Sequence, residues 1–232
     1  VKGSLYLIPS LLGNTDVENV IPKGTLDVLL SLRNFVVEDF RSARRYLSKA
    51  GFKGRIDELE FIQMNKHTDD HEREKIIALL ENGISLGVIS EAGLPAVADP
   101  GSRLVEMAHK KGIDVIPLTG PSSLMLALMA SGKNGQSFAF TGYLPIKSDE
   151  RRARIRELER LSVSGGQSQI MIETPYRNDA LMADFLHVCS DNTLLTVAAE
   201  ITTENSFIRT KSVGAWKKNV PQLNKKPCVF VL

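Results

Sequence analysis

The chain has 232 residues, of which 43% are hydrophobic and 24% charged, so it is long enough to bury the core of one large α/β domain or of two small ones. A formal net charge of only +2 excludes a globally basic nucleic-acid binder and leaves any RNA contact to a local patch. Cys189 and Cys228 are the only cysteines and form no C-x-x-C pair, which argues against a disulfide framework or a zinc site and points to the cytoplasm, and no apolar run reaches the roughly 18 residues of a membrane span.

In chain order, Leu5–Ile8 predicts a first strand that opens into a turn at residues 9–14. Pro22 precedes a helical stretch over 25–33, and residues 35–37 read as a second strand that delivers Glu38-Asp39-Phe40-Arg41 to its end. Adjacent carboxylates at a strand end can cap a helix or act as a general base, and both readings stand. Arg41, Arg44 and Arg45 fall at helical spacing on 41–50, which Gly51 ends, giving a basic face suited to phosphate. A third strand is predicted at 59–64. Thr68-Asp69-Asp70 is a capping signal for a helix running to Asn82, which leaves His67 outside it and separates it from His71, so no metal site is expected.

Residues 84–131 carry the organising pattern: strand 84–89, loop 91–101, a helix around Leu104, Val105 and Ala108 closed by Gly112, strand 115–118, loop 119–122, then another helix. Parallel strands joined by a helix send both loops to the sheet edge where open α/β sheets bind ligands. The first loop is apolar at its centre, Leu94-Pro95-Ala96-Val97-Ala98, which suits backbone contact with a small, partly apolar ligand. No Gly-Lys-Ser/Thr follows as in a P-loop, and no G-x-G-x-x-G is present.

Downstream, Phe138–Tyr143 reads as a strand and 149–161 as a helix that buries Ile155, Leu158 and Leu161 while presenting Arg151, Arg152, Arg154 and Arg156. Residues 170–173 form a strand delivering Thr174-Pro175-Tyr176-Arg177, and further strands are predicted at Leu194–Ala199 and 227–232. The pattern predicts a mixed α/β fold of two α/β domains, residues 1–118 and 119–232, with the ligand in the cleft between them.

S-E-A-G-L-P-A-V-A-D-P-G at 90–101, followed by V-I-P-L-T-G-P-S-S at 115–123, resembles the tetrapyrrole methylase superfamily of S-adenosylmethionine-dependent methyltransferases. The opening I-P-S-L-L-G-N and the E-D-F-R at 38–41 are similar to the branch that methylates a cytidine ribose 2′-hydroxyl in bacterial small-subunit ribosomal RNA. The resemblance implies S-adenosylmethionine as cofactor, ribosomal RNA or the small ribosomal subunit as partner, and a homodimer. It places the donor on Leu94, Val97, Ser122 and Ser123, with Pro9, Glu91, Ala92, Gly93 and Ala199 around it. Glu38 and Asp39 are the candidate bases, with Arg41 beside them; Arg44, Arg151, Arg152 and Arg177 are candidates for substrate phosphate. The sequence departs from the branch at Phe40, where a small polar residue is usual, at Tyr176 in place of histidine, and at Thr203 in place of a basic residue. Three other readings stay open: a methyltransferase of this fold acting on a small molecule or protein, a non-catalytic donor-binding protein, and an α/β enzyme acting on a phosphorylated metabolite.

Overall fold

Short runs of branched and aromatic residues can become strands where both faces of a sheet are covered, and the first half of the chain uses them so. In the computed structural model, which describes Val1–Leu232, the chain forms two units, Val1–Ser122 and Ser123–Leu232. The first holds β1 (Leu5–Ile8), β2 (Asn34–Val37), β3 (Glu60–Gln63), β4 (Leu86–Ile89) and β5 (Val115–Pro117). They pair in the order β3-β2-β4-β1-β5, every pair parallel. Helices α1 (Lys23–Ser31), α2 (Phe40–Leu47), α3 (Asp70–Glu81) and α4 (Gly101–Lys110) alternate with the strands. Phe35 and Val37 join Ile8, Leu29, Leu47 and Phe52 in one core layer, whereas Val36 between them joins Leu5, Ile77, Leu80 and Leu104 in another.

Several boundaries differ from the sequence reading, and those of β4 and α2 do so for clear local reasons. β4 begins at Leu86, two residues late, because the Ile84 N–H is spent on the Leu79 carbonyl at the end of α3 (3.0 Å). α2 does not run evenly to Ala50; after Leu47 it widens into one turn over Ser48–Phe52, which Gly51 ends at φ 121°. α3 starts at Asp70, capped by Asp69, whose carboxylate accepts the Glu72 N–H at 2.8 Å. His67 precedes that helix, and no three His, Cys, Asp or Glu side chains are grouped to hold a metal ion.

The second unit contains α5 (Ser123–Ser131), β6 (Phe138–Tyr143), α6 (Ser148–Val163), β7 (Ser168–Ile172), α7 (Asn178–Val188), β8 (Leu194–Ala199), β9 (Phe207–Ser212), α8 (Val213–Lys218) and β10 (Cys228–Val231). The sheet order is β6-β7-β10-β8-β9; β6 and β7 are parallel and the other pairs antiparallel. Its core packs Phe185 against Phe230 and encloses Trp216, whose indole N–H donates to the Leu195 carbonyl (2.8 Å). The sequence reading did not anticipate α7, β9 or α8. β9 is a polar edge strand, α8 has only six residues, and the apolar positions of α7 lack a clean period because Asp184 stands among them. No helix is long and apolar enough to cross a membrane.

Asp184 also corrects the expected exposure of Arg151. Rather than facing solvent, Arg151 is only 8% exposed: its guanidinium pairs with Asp184 at 2.6 Å and donates to the Ile146 carbonyl at 2.7 Å. Arg152 reaches the other oxygen of the same carboxylate at 2.6 Å. A carboxylate buried between packed helices must be neutralised, and two consecutive arginines at the start of α6 do so. Removing it leaves the charge of buried Arg151 without a counter-ion. Asp184→Ala is therefore expected to lower the free energy of unfolding by about 3 kcal/mol, read from urea denaturation; a midpoint equal to that of the parent chain would show the pair to be energetically idle.

Candidate active site

The parallel register of the first unit decides which loops meet. Ile89 at the end of β4 is level with Ile8 of β1 on one side and Val37 of β2 on the other. Pro9, Ser90 and Glu38 therefore leave the sheet side by side, and the pairing of Leu7 with Pro117 brings the β5 loop in next to Pro9. The β1 loop is pinned to the β4 loop, since the Ser10 N–H donates to the Gly93 carbonyl (2.9 Å) and the Ser10 hydroxyl to the Ser90 carbonyl (3.1 Å). Tyr46 from α2 donates to the Pro9 carbonyl at 2.8 Å, and Thr25 from α1 to the Thr119 carbonyl at 2.8 Å.

Glycines permit this convergence. A Cβ on Gly120 would lie 2.2 Å from the Pro9 ring, and Gly93 adopts φ 71° with its α-carbon turned toward Leu12 and the Pro121 carbonyl. Pro9, Gly93 and the segment entering Ser122 are thus gathered within one unit, while Glu91 and Ala92 stand exposed at the loop's start. Further along, Ala96 (φ 64°) and Ala98 (φ 59°) occupy the left-handed region, an unusual conformation for alanine. Asp99 holds the loop there: its Oδ1 accepts from the Ala96 and Gly101 N–H groups, both at 2.8 Å. The turn leaves Leu94 half-buried and Val97 exposed.

The two adjacent carboxylates at the end of β2 part company. Asp39 is the N-cap of α2; its Oδ1 accepts the Ser42 N–H at 2.8 Å, and hydrogen bonds from the Ser42 backbone and hydroxyl hold its pKa below the usual carboxylate range. Glu38 is half-buried, and desolvation first, then the charges of Asp99 and Glu91, push its pKa up, with the Glu91 backbone N–H opposing them. Burial likewise raises Asp99. The Ser42 hydroxyl links the two loops, sharing its one proton between Asp39 Oδ1 at 2.9 Å and Glu91 Oε1 at 2.7 Å. Arg41 is exposed beside Asp39, and Arg44 lies against the Phe61 ring.

The remaining candidates belong to the second unit. Ser123 opens α5 and buried Ala199 ends β8, followed by Glu200 at φ 51°. Arg177 pairs with Glu173 at 2.6 Å just beyond β7. Because β10 sets Val229 opposite Ile172 and Cys228 opposite Ala199, Arg177 and Ala199 mark one edge of that sheet. Arg151 and Arg152 are occupied by Asp184, whereas Arg156, with Arg160 and Lys133, borders an open depression near Ser168 and Leu194, the opposite edge. Sequence reasoning missed Ser42, Glu173 and Asp184. An acid in the middle of the apolar run from Leu181 to Leu186 was the available signal for Asp184; a serine three residues after Asp39 fits a capped first turn but does not disclose the Glu91 contact.

No protein-family model matches the chain. Curated relatives do. The chain is 31% identical over 198 residues to ribosomal RNA small subunit methyltransferase I of Vibrio cholerae, covering 85% of this chain and 65% of that protein. It is 31% identical over 214 residues to the protein of the same name from Neisseria meningitidis serogroup A, covering 92% and 69%. Against that of Escherichia coli O157:H7 it is 28% identical over 234 residues, covering 100% and 78%. The chain spans about two thirds of the length of the first two. Among solved structures it resembles a uroporphyrin-III-C-methyltransferase from Thermus thermophilus (TM-score 0.57, 17% identity, 100% of this chain and 92% of that one) and the methyltransferase CobJ (TM-score 0.63, 16% identity, 99% and 93%). These likenesses establish the two-domain α/β fold.

Asp99 is what keeps the strained loop closed. In Asp99→Ala the Ala96 and Gly101 amides lose their acceptor and are expected to exchange with deuterium about tenfold faster, while amides of β1 and β4 keep their protection; unchanged exchange at both positions would show that the loop holds itself.

Proposed function

The chain belongs to the ribosomal RNA small subunit methyltransferase I family, and on that premise we propose that it transfers a methyl group from S-adenosylmethionine to a ribose 2′-hydroxyl of small-subunit ribosomal RNA. The observation that supports this reading most is the convergence of the β1, β4 and β5 loops at the C-terminal edge of a parallel sheet, beside a half-buried carboxylate.

The local chemistry fits the donor. Glu38, Glu91 and Asp99 interact without a paired cation, which makes the ground favourable for a sulfonium and an ammonium group. The backbone of Gly93, Leu94 and Val97 and the Ser122 segment would hold the donor, with Pro9, Glu91 and Ala92 around it. S-adenosylmethionine, when bound, supplies a methyl group already activated for displacement. The protein's task is then to orient the acceptor and to take up its proton.

Glu38 is the better base of the two carboxylates. A raised pKa makes it the stronger proton acceptor, whereas the pKa of Asp39 is lowered and its Oδ1 is taken up by Ser42. In this reading Glu38 receives the 2′-hydroxyl proton, and Arg41 and Arg44 hold the adjacent phosphates.

The direct test is transfer of a radiolabelled methyl group to purified, undermethylated small ribosomal subunits, with donor binding followed by calorimetry. Label in the RNA is the expected result. Donor binding without label would move the acceptor elsewhere, and absence of both would overturn the reading. With Glu38 as base, activity rises with pH through its pKa, so the acid limb lies above the ordinary glutamate range. Glu38→Gln should abolish that limb and lower kcat by roughly 10²-fold or more. Asp39→Asn should weaken the start of α2 but retain the limb.

A further inference from the structure

The first unit carries an aromatic feature that this function leaves unused. Phe52, Phe35, Phe61 and Phe40 form a chain of ring contacts that begins in the core and ends at the surface, with centroid separations of 6.2, 6.2 and 6.4 Å. Phe35 and Phe52 are fully buried, Phe61 on edge strand β3 is half-buried, and Phe40 is 40% exposed. Phe40 opens α2 directly after Glu38 and Asp39. One turn later, Arg44 places its guanidinium 5.5 Å from the centre of the same Phe61 ring. At the first position of a short helix, Phe40 packs edge-on against Phe61 yet keeps 40% of its surface exposed. The partner that it touches is itself at the sheet edge.

The charge around these rings indicates what they meet. α2 reads F-R-S-A-R-R-Y-L and contains three arginines and no carboxylate. Arg41, Arg44 and Arg45 are exposed and outside the ion pairs that occupy Arg151, Arg152 and Arg177; Arg41 lies near the Asp39 carboxylate. Aromatic faces interleaved with unpaired guanidinium groups are how proteins take hold of single-stranded nucleic acid: the rings stack on unpaired bases and the cations follow the phosphates.

Resting on the reading above, we propose that Phe40, backed by Phe61 and flanked by Arg44, is a stacking platform for the base of an unpaired RNA nucleotide. It positions that nucleotide's ribose toward Glu38, two residues away in the chain. Phe40 is in this sense a substrate-positioning residue that acts through the base and makes no contact with the reacting hydroxyl.

The test compares a short cytidine oligoribonucleotide with an abasic oligoribonucleotide of equal length and charge, bound to the full chain and followed by fluorescence anisotropy. The parent chain should prefer the base-bearing strand by about tenfold or more. Phe40→Ala should lose most of that preference while keeping its salt dependence, since phosphate contacts remain. Phe40→Trp should restore the preference and report it directly through quenching of the new indole, against the buried Trp216 as background. Melting temperature and donor binding verify that each variant is folded. A Phe40→Ala chain with an undiminished preference for the base-bearing strand would overturn the platform and leave the methyltransferase reading standing. A parent chain that binds neither strand would overturn both the platform and the RNA substrate.

Discussion

Everything at the candidate site depends on the parallel register of β4 between β1 and β2. Hydrogen bonding sets Ile89 level with Ile8 and Val37, so three chain segments far apart in sequence leave the sheet at the same height. A shift of one residue would reverse the faces of the central strands and drive Phe35 and Val37 into the opposite core layer. The two-sided burial that stabilises the sheet is thus the same constraint that brings the loops into contact. Gly93 and Gly120 then let backbone approach backbone more closely than side chains would allow.

Around that edge, environment separates residues of the same type. Glu38 and Asp39 are consecutive carboxylates, yet one is raised in pKa by desolvation and neighbouring negative charge and the other lowered by hydrogen bonds from Ser42. Such divergence leaves one carboxylate readier to take a proton and commits the other to capping a helix. Asp99 has a third role, holding two alanines in a conformation they would otherwise avoid.

Arginines sort in the same way. Arg151, Arg152 and Arg177 look like a basic surface in the sequence, but Asp184 and Glu173 claim them. The arginines of α2 have no such partners and stand beside half-buried Phe61 and exposed Phe40. A chain of net charge +2 can therefore carry a concentrated basic face, while several of its other arginines are neutralised by carboxylates elsewhere in the fold.

What the sequence determined by itself was local. β1, β6 and β8 are read with the bounds that the structure has, and the capping of α3 by Asp69 was legible, because strand runs and capping residues act through neighbours in the chain. The S-E-A-G-L-P and D-P-G motifs marked the candidate loop through their resemblance to a known family. Sequence could not foresee that Glu38 is raised, since that shift comes first from burial and then from the charges of Asp99 and Glu91, about sixty and fifty residues away. Nor could it foresee that Arg151 is buried: helical periodicity tells which face a residue lies on, not which carboxylate a neighbouring helix brings to it. Only the tertiary structure decided these, because desolvation and ion pairing depend on what the fold brings close in space.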